Sequence, residues 1–438
     1  MGYRRYPEYK DSGVEWLGKI PSHWDQCPVK RKFMIANGST PKSGGAEFWD
    51  GDIFWITPAD FSRASSGYLN ESGRTITDAG LASCGTRLVP SNSIVISVRA
   101  PIGEVIQAAS ELCTNQGCKS LIKDTSELHE RFFFHVFSCS SKQLNALGLG
   151  TTFMELSTHG LAQYRIPLPP YQEQEKIALF LDHKTAQIDR LIEKKQELIG
   201  KLQEQRITII TQAVTKGLDE NVVMKAAPGA WFAETPRHWE VRPLKFCLEF
   251  LNQRRIPLSA EERTYMGGNF PYYGASGIID HIDSYIFSEP TILIAEDGAN
   301  LLSRTTPLAF EARGKYWVNN HAHILKPIDG SYTYWANLLC TIDFSPWITG
   351  AAQPKLTKDN LGAIPVPCPP ILEQEQIANY INSRVNRTDP MIDANRKAID
   401  SLQEYRTALI TAAVTGQIDV RDWQCPEPTK EPADKEVA

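Results

Sequence analysis

The chain has 438 residues, 42% hydrophobic and 22% charged, a composition typical of a globular protein rather than a disordered or fibrous one. A single core rarely exceeds about 250–300 residues, so at least two domains are expected. No stretch resembles a membrane span or a signal peptide, which predicts a cytoplasmic location without membrane contact. The nine scattered cysteines predict reduced thiols and no zinc site. The net charge of −5 argues against a nucleic-acid binder, which usually has a basic surface.

The N-terminal region begins with a tryptophan motif and continues into a strand-rich segment. The motif consists of Trp16, Pro21, His23 and Trp24. Apolar runs at 53–57, 93–98 and 119–122, separated by glycine and proline, predict strands, and 127–147 predicts a helix. Residues 1–155 are therefore predicted to form an α+β domain.

A long helix is predicted next, within a conserved helical region at 156–219. Apolar residues recur at the a and d spacings of a coiled coil from Gln172 to about Lys216: Ile177, Leu181, Ile188, Leu191, Leu198, Leu202 and Ile209. Pro169 and Pro170 mark the start of the helix, and Gly217 marks its end. Such a helix would be roughly 65 Å long, too long for one small globule, so we expect a spacer.

The rest of the chain follows the same order. The tryptophan motif returns as Trp231, Pro236, His238 and Trp239. Strands at 291–295 and 322–325 and a helix at 332–339 predict a second α+β domain over 226–355. In the second helical region, 356–420, the interior Pro390 predicts a kink or a break near Asp389. Residues 421–438 are rich in proline and charge and are predicted to be disordered.

The chain is therefore an internal repeat. Residues from about Leu156 to Asp219 match the chain 200 residues later without a gap, whereas the two preceding variable regions hardly resemble each other. If the second helix packs on the first through a similar stripe, the two run antiparallel and a pseudo-two-fold axis relates two globular domains separated by the helices. The alternative is that each helix packs only on its own domain.

Polar and aromatic loop residues of the variable regions are the candidates for recognition. Arginine suits guanine edges and phosphates, and asparagine and glutamine suit adenine edges. For any single residue, an ordinary solvated or hydrogen-bonded role is the alternative, and the His321 and His323 pair is predicted to be structural rather than metal-binding. The candidate DNA-binding residues are Lys42, Arg63, Arg74, Arg99, Asn115, Gln116, Lys119, Arg254, Arg255, Tyr272, Tyr273, Arg304, Asn319, Asn320 and His321.

The sequence lacks the motifs that several enzyme classes require. It has no GxxxxGK[ST] phosphate-binding loop, no [DN]PP[YF] methyltransferase tetrapeptide and no GxSxG elbow. Asp297 and Glu311 have a spacing found in nucleases, but no Glu-x-Lys follows them. These observations favour a non-catalytic protein.

Several of these segments resemble the specificity subunit of type I restriction-modification systems. The similarity covers about residues 10–420, and the duplicated arrangement is characteristic of that family. The segments that carry it are Gly13–Trp24, Ser97–Gly103, Gly150–Leu156, Ile166–Glu175, Pro271–Gly277, Ile294–Asn300 and Pro367–Glu375.

The resemblance implies two target-recognition domains, each of which reads one half of a bipartite, asymmetric site in double-stranded DNA. It also implies that two long helices set the spacer, that each repeat docks one methyltransferase subunit, and that restriction/translocase subunits join the complex. S-adenosylmethionine and ATP would then be bound by these partners, with no cofactor bound by this chain.

Two other functions remain compatible with the sequence: a stand-alone or fused DNA-modification or nuclease enzyme, and a coiled-coil scaffold without a DNA role. The negative charge does not decide between them, because DNA contacts need only a local basic face. A mildly acidic subunit is expected to bind DNA weakly alone, with its partners supplying much of the phosphate-neutralising charge.

Overall fold

The computed structural model describes residues 3–148, 154–304, 307–350 and 353–426. The chain forms two compact units: a first unit of Met1–Lys195 with Lys397–Ala438, and a second unit of Gln196–Arg396. The unit boundaries fall inside the two long helices, because each half of a helix packs on a different globular part. The predicted segment boundaries at 155/156 and 355/356 are therefore not those of the compact units. The predicted family segment at 150–153 lies outside the described residues.

The first unit combines short strands with short helices and one long helix. Its helices are α1 (Asp78–Ala82), α2 (Glu130–Ser138), α3 (Ser141–Ala146), α4 (Thr158–Gln163) and the first part of α5 (Tyr171–Lys216). Its strands are β1 (Tyr9–Asp11), β2 (Lys19–Pro21), β3 (Asp25–Pro28), β4 (Phe33–Asn37), β5 (Trp49–Ile56), β6 (Tyr68–Leu69), β7 (Thr75–Ile76), β8 (Ile94–Ser97), β9 (Val105–Ala108), β10 (Cys113–Thr114), β11 (Cys118–Lys123) and β12 (Arg165–Leu168).

A five-stranded sheet in the order β4-β11-β8-β9-β6 forms the centre of the first unit, beside a three-stranded sheet β10-β5-β7. The core joins β8 residues such as Ile94 and Ile96 to Phe132 and Phe133 of α2. The predicted strands correspond to β5, β8 and β11. The predicted helix 127–147 is instead two helices, α2 and α3, because the chain turns at Ser140, whose hydroxyl donates to the Val136 carbonyl (2.6 Å).

The second unit repeats this arrangement. Its helices are α6 (Ala260–Tyr265), α7 (Asn300–Ser303), α8 (Tyr332–Thr341), α9 (Lys358–Ala363) and α10 (Ile371–Val414), whose last part belongs to the first unit. Its strands are β13 (Met224–Ala226), β14 (Glu234–Pro236), β15 (Glu240–Pro243), β16 (Leu248–Phe250), β17 (Gly267–Gly274), β18 (Gly277–Ile282), β19 (Thr291–Ala295), β20 (Ala309–Ala312), β21 (Trp317–Val318), β22 (Ala322–Pro327), β23 (Ile348–Thr349), β24 (Lys355–Leu356) and β25 (Pro365–Cys368).

The sheets of the second unit follow the strand order of the first, except that β6 has no counterpart among the described residues. The order β16-β22-β19-β20 corresponds to β4-β11-β8-β9, and the parallel pair of β17 and β21 corresponds to β5 and β10. The variable regions therefore share one fold in spite of their dissimilar sequences. The structure confirms the predicted α+β class with two repeated domains and two long helices.

The long helices pack on each other within each unit. In the first unit Lys176 donates to the Arg421 carbonyl and Asp189 pairs with Arg406 (2.9 Å), so residue numbers rise along one helix and fall along the other. In the second unit Arg206 lies 3.3 Å from Asp389. The predicted antiparallel packing is confirmed, and the alternative in which each helix packs only on its own domain is not observed.

The buried stripe of α5 differs in part from the prediction. Leu191 and Leu198 are exposed, whereas Ile188 and Leu202 are buried and Ile192 packs on the core between them. Since the helix has 3.6 residues per turn, a stripe through Ile188, Ile192 and Leu202 stays on one face, and Leu191 and Leu198 turn away from it. The helix ends at Lys216, before Gly217 with φ of +78°, as predicted.

Helix α10 continues through Pro390, so of the predicted kink or break near Asp389 the break is wrong, and the kink stays a prediction. Proline removes the hydrogen bond to the carbonyl four residues earlier, and that residue, Asn386, is exposed. Water can therefore solvate the freed carbonyl.

Part of the predicted disordered tail is ordered. The Trp423 ring packs against Phe180 and His183 of α5, at centroid distances of 5.4 and 5.6 Å. Residues 427–438 of that prediction lie outside the described residues. Within the described part of the chain, no helix has the length and apolar character needed to cross a membrane.

Candidate nucleic-acid interface

One end of the five-stranded sheet of the first unit gathers three loops, 38–42, 98–104 and 115–117, which we call the first sheet end. Asn37 at the end of β4 faces Lys119 at the start of β11. The Lys119 ammonium and the Thr158 hydroxyl both donate to the Asn37 side-chain oxygen, at 3.1 and 2.9 Å. Lys119 is only 6% exposed, and burial lowers the pKa of its ammonium group. Lys119 therefore holds the loops together and is not a surface contact.

The 115–117 loop is an Asx turn that presents its central residue outward. The Asn115 side-chain oxygen accepts from the Gly117 amide (2.9 Å), and the Asn115 amide donates to the Ile56 carbonyl (2.9 Å). Gln116 is exposed and hydrogen-bonds Thr40. A Cβ at Gly38 would lie only 1.9 Å from the Asn115 carbonyl oxygen, so the close approach of the two loops requires glycine.

Cationic side chains flank this turn. Arg99 is half exposed and forms an ion pair with Glu155 (3.0 Å). The Arg74 guanidinium lies 3.5 Å from the centroid of the Trp49 ring, and the Trp49 indole donates to the carbonyl of Lys42, whose side chain is exposed. Phosphates and base edges are the ligands that such groups bind in DNA complexes.

Arg63 lies beside Gly73, the residue before Arg74. Its guanidinium approaches Asp60 (3.9 Å) at the end of a 3-10 helix, and one of its terminal nitrogens would lie 3.3 Å from a Cβ at Gly73. Its role in DNA binding stays a prediction, as do those of Lys42, Arg74 and Arg99.

The second unit has an equivalent second sheet end, formed by loops 251–255, 296–298 and 319–321. The Asn252 side chain donates to His323 Nδ1 (2.8 Å). This contact is equivalent to the one between Asn37 and Lys119 in the first unit. The other ring nitrogen of His323, Nε2, donates to the Leu356 carbonyl (2.8 Å). The Asn319 side-chain oxygen accepts from the His321 amide (2.8 Å), which repeats the Asn115 turn. His323 is 1% exposed, and burial lowers its pKa, so it is a neutral structural residue, as predicted.

Glu296 organises the second sheet end. Its carboxylate accepts from Arg255 (2.5 Å) and pairs with Lys355 (3.3 Å). Burial by itself would raise the pKa of Glu296, but the hydrogen bond from Arg255 and the positive charge of Arg255 hold the pKa below its ordinary value. Arg255 also donates to the Asn320 and Ala322 carbonyls, so it is committed to this network.

The exposed groups here are Asn320 and His321. The His321 ring bonds through Nδ1 to both carboxylate oxygens of Asp297, at 2.8 and 3.0 Å, and its side chain is 49% exposed. This geometry fixes the ring orientation and leaves Nε2 available. Asn320 occupies the position of Gln116, at the tip of the equivalent turn.

Four other candidates of the second unit have structural positions. Tyr272 is completely buried, so it belongs to the core and not to the surface, and its hydroxyl accepts from the Leu258 amide. Tyr273 packs against the Tyr316 ring and its carbonyl accepts from Asn319. Arg254 stacks on Phe287 and pairs with Glu289, and Arg304 donates to the Cys340 and Ile342 carbonyls.

Two residues that sequence reasoning missed, Asn37 and Asn252, hold the sheet ends together. They are 215 residues apart, the same offset that relates the two tryptophan motifs. Extending that alignment past Lys30 and Lys245 was the signal that could have found them.

The conserved motifs form the framework beneath the sheet ends. The Glu173 carboxylate accepts from the Trp24 indole (2.9 Å) and the Tyr6 hydroxyl (3.0 Å) and bonds the His23 ring (2.7 Å). The Glu373 carboxylate likewise accepts from the Trp239 indole and bonds the His238 ring, each at 2.7 Å. These contacts fasten the start of each long helix to the segment before the first sheet strand.

The first unit also contains a cleft of about 930 Å³ beside α5. A buried network lies in its wall: Arg131 and His135 both bond Asp182 (2.8 Å each), and Arg131 also donates to Gln107 and Ser66. Among the described residues, no cluster of three or more His, Cys, Asp or Glu side chains is arranged to hold a metal ion.

Comparison with known families identifies the framework. Residues 21–200 and 236–397 each match the type I restriction modification DNA specificity domain. The chain therefore belongs to the family of type I restriction-modification specificity subunits. The two matches cover the two repeats. Each match includes part of one tryptophan motif, one variable region and most of one long helix.

Relatives agree over nearly the whole chain. The type I restriction enzyme MjaIX specificity subunit of Methanocaldococcus jannaschii is 28% identical, over 96% of this chain and 98% of that protein. The EcoprrI specificity subunit of Escherichia coli is 22% identical over 87% of this chain and 90% of its own length. A solved structure described as showing complex assembly and conformational transition of the type I R-M system has a TM-score of 0.69 at 15% identity, covering 90% of this chain and 98% of the other. This last likeness concerns the fold alone.

Proposed function

We propose that this specificity subunit reads a bipartite, asymmetric site in double-stranded DNA, with one sheet end for each half. The observation that carries the proposal is that two units of one topology hold equivalent Asx turns, at Asn115 and Asn319, with different exposed side chains around them. Different side chains at equivalent turns would present different hydrogen-bonding groups to the two halves of a site.

The chemistry of the two sheet ends differs in a way that suits different bases. Lys42, Arg74 and Gln116 offer hydrogen-bond donors that suit guanine and phosphate, and Gln116 also suits adenine. The second sheet end offers Asn320, His321 and the Asp297 carboxylate. Asparagine suits adenine, and a carboxylate can accept from the amino group of cytosine. We therefore expect the half-site of the second unit to differ in sequence from that of the first.

The subunit acts within a complex in this proposal. Two methyltransferase subunits dock on the two repeats, and restriction/translocase subunits join them, so that S-adenosylmethionine and ATP are bound by the partners in the cytoplasm. The net charge of −5 supports a division of labour, because a chain without excess positive charge gains little from counterion release. The subunit supplies sequence specificity, it is not itself catalytic, and the partners supply much of the affinity.

Exchange of one variable region tests the proposal. Residues 25–155 are replaced by the corresponding region of a relative, the complex is assembled with its methyltransferase partners, and methylated sites are mapped across a genome. One half of the methylated sequence should change and the other should stay. A change in both halves, or in neither, would show that the units do not read separately.

A second measurement addresses the enzyme alternative. The purified chain alone is incubated with DNA and S-adenosylmethionine, or with DNA and Mg²⁺. We expect neither methyl transfer nor cleavage until the partner subunits are added. Methyl transfer or cleavage by an isolated chain that is free of partner subunits would replace the non-catalytic proposal with the enzyme one.

A further inference from the structure

Two thiols of the second unit lie against each other. Cys247 follows the short 3-10 helix Leu244–Phe246 just before β16, and Cys368 is the last residue of β25, immediately before Pro369 and α10. Their sulfur atoms are 3.1 Å apart. Cys247 is 7% exposed and Cys368 is partly exposed, so small solutes can reach the pair.

The surroundings activate one of the two thiols. The hydrogen bond from Cys368 lowers the pKa of Cys247, and the positive charge of Arg242 acts in the same direction against the effect of burial. The same hydrogen bond, together with burial, raises the pKa of Cys368. Cys247 is therefore the more acidic of the two thiols, and we assign the attack to its thiolate form.

The framework does not need these cysteines. The equivalent positions of the first unit are Lys32 and Leu168, in a turn with the same backbone hydrogen bond: the Lys32 amide donates to Val29 (3.0 Å), and the Cys247 amide donates to Leu244 (2.9 Å). Leu168 pairs with Asp25 as Cys368 pairs with Glu240. The thiol pair is thus a feature of the second unit that its packing does not require.

We propose that Cys247 and Cys368 form a redox site that hydroperoxides convert reversibly into a disulfide. The Cys247 thiolate attacks the peroxide oxygen, the O–O bond breaks, and hydroxide leaves as water after it takes up a proton, so that Cys247 becomes a sulfenic acid. The Cys368 sulfur then attacks the Cys247 sulfur and releases a second water. In total two thiols and one hydrogen peroxide give one disulfide and two waters, and a dithiol reductant reverses the reaction.

The disulfide would tie the sheet of the second unit to the start of α10. The Tyr334 hydroxyl already bonds the carbonyl of Pro367, next to Cys368, so the cross-link would add a second tie at the end of β25. Only the second unit would be constrained, because the first unit has no thiol at either position. Oxidation would therefore act on one recognition unit and not on the other.

The test uses the full chain, reduced and then treated with hydrogen peroxide. We expect the titratable thiols to fall by two, a cross-linked peptide that contains Cys247 and Cys368, and full recovery of both thiols with dithiothreitol. Cys368→Leu, which copies the first unit, and Cys247→Ser should each abolish the cross-linked peptide. Cys340→Ser, a partly buried thiol of the same unit whose sulfur contacts the Ala309 carbonyl, should leave it unchanged.

Peptide mapping of the peroxide-treated chain without substitutions keeps the test decisive even if a variant folds poorly. Loss of thiols without a Cys247–Cys368 peptide, or a cross-link that dithiothreitol does not reverse, would overturn the proposal. A cross-linked peptide that persists in Cys368→Leu would do the same, because another thiol would then be the partner of Cys247.

Discussion

In the first unit the Asn37 side chain holds a buried lysine at the sheet end, whereas in the second unit the Asn252 side chain holds a buried histidine. The charges of the two residues at one backbone bridge beside these contacts are reversed as well. Arg99 bridges to Glu155 in the first unit, and at the equivalent bridge Asp297 meets Lys355 in the second. The backbone is the same in both, because the Leu156 and Leu356 amides donate to the carbonyls of the residues before Arg99 and Asp297.

This comparison shows how one backbone can present different chemistry. The Asx turns and the bridge fix where side chains emerge, and the identity of each side chain is then free to change. The framework below differs much less, since Glu173 and Glu373 make the same bonds to the two tryptophan motifs. The side chains at the sheet ends differ between the two units, whereas the contacts that fasten the long helices are equivalent.

The largest expected effect concerns the framework carboxylates. Glu173→Ala should lower the free energy of unfolding by about 3 kcal/mol, because it leaves three donors without an acceptor at a side chain that is 11% exposed. Glu373→Ala should cost about 1 kcal/mol, since that side chain is 34% exposed and has two partners. Urea unfolding followed by tryptophan fluorescence measures both. Equal losses would show that the two frameworks are equally buried in solution.

Among the described residues, the Arg131 network is found in the first unit and not in the second. The second-unit counterpart of Asp182 is Asn382, which is exposed. Asp182→Ala should cost about 2 kcal/mol, because it leaves the buried Arg131 guanidinium without its carboxylate, an effect that the partial exposure of Asp182 reduces. Asn382→Ala should stay within about 0.5 kcal/mol. Chemical denaturation measures the free energy of unfolding of both variants. A similar loss in both would show that the Asp182 network stabilises the first unit no more than Asn382 stabilises the second.

Each unit has one buried neutral histidine, and both should make the protein sensitive to acid. Burial lowers the pKa of His135 and of His323 from the ordinary 6.5, so the unfolded chain binds more protons than the folded one below that pH. Stability should fall as the pH drops from 6.5 towards the folded pKa values, by at most about 1.4 kcal/mol per pH unit for each histidine. His135→Gln and His323→Gln should each flatten part of this slope. Urea unfolding at several pH values between 7.5 and 5 checks it, and unchanged slopes would contradict the assignment.

The two long helices differ in sequence at Pro390, which lies inside α10. Pro390→Ala should raise the free energy of unfolding by about 1 kcal/mol, because it restores a helix hydrogen bond, while the freer unfolded chain offsets part of the gain. Pro390→Gly is the matched control and should give little or no gain, since glycine adds its own entropy cost in a helix. A gain of the same size in both variants would point to relief of a side-chain contact instead.

The smallest expected effect tests the reversed charges at the sheet ends and rests on the proposed DNA recognition. In the complex with methyltransferase subunits, Arg99→Ala should weaken DNA binding a few-fold and reduce the salt dependence, with a slope change of about 1. Asp297→Asn should strengthen binding slightly at low salt. Arg313→Ala, an exposed arginine paired with Glu311, is the control. Affinities measured over a salt series decide, and a loss in the control equal to that of Arg99→Ala would exclude a specific role for the first sheet end.

The sequence was sufficient for features that depend on local pattern or on repetition. The bounds of α5 follow from Pro170 and Gly217, which set the helix ends by backbone conformation alone. The repeats of the tryptophan motif and of the segments Ile166–Glu175 and Pro367–Glu375 marked the framework, although not the hydrogen bonds between them. The DNA-binding candidates stay predictions, and the sequence could not rank them, because a loop residue with a suitable side chain looks the same in sequence whether it is exposed, like Gln116, or part of a network, like Arg255.

The sequence by itself thus determined that the chain is a duplicated α+β protein with two long helices, and it pointed to the family. Only the tertiary structure decided which residues share a sheet end, since Asn37 and Lys119 are 82 residues apart and meet through strand register. It also decided that Tyr272 is core, that α10 passes Pro390 unbroken and that the second unit holds a thiol pair. Burial and long-range pairing depend on how strands from distant parts of the chain align, and no local pattern encodes that alignment.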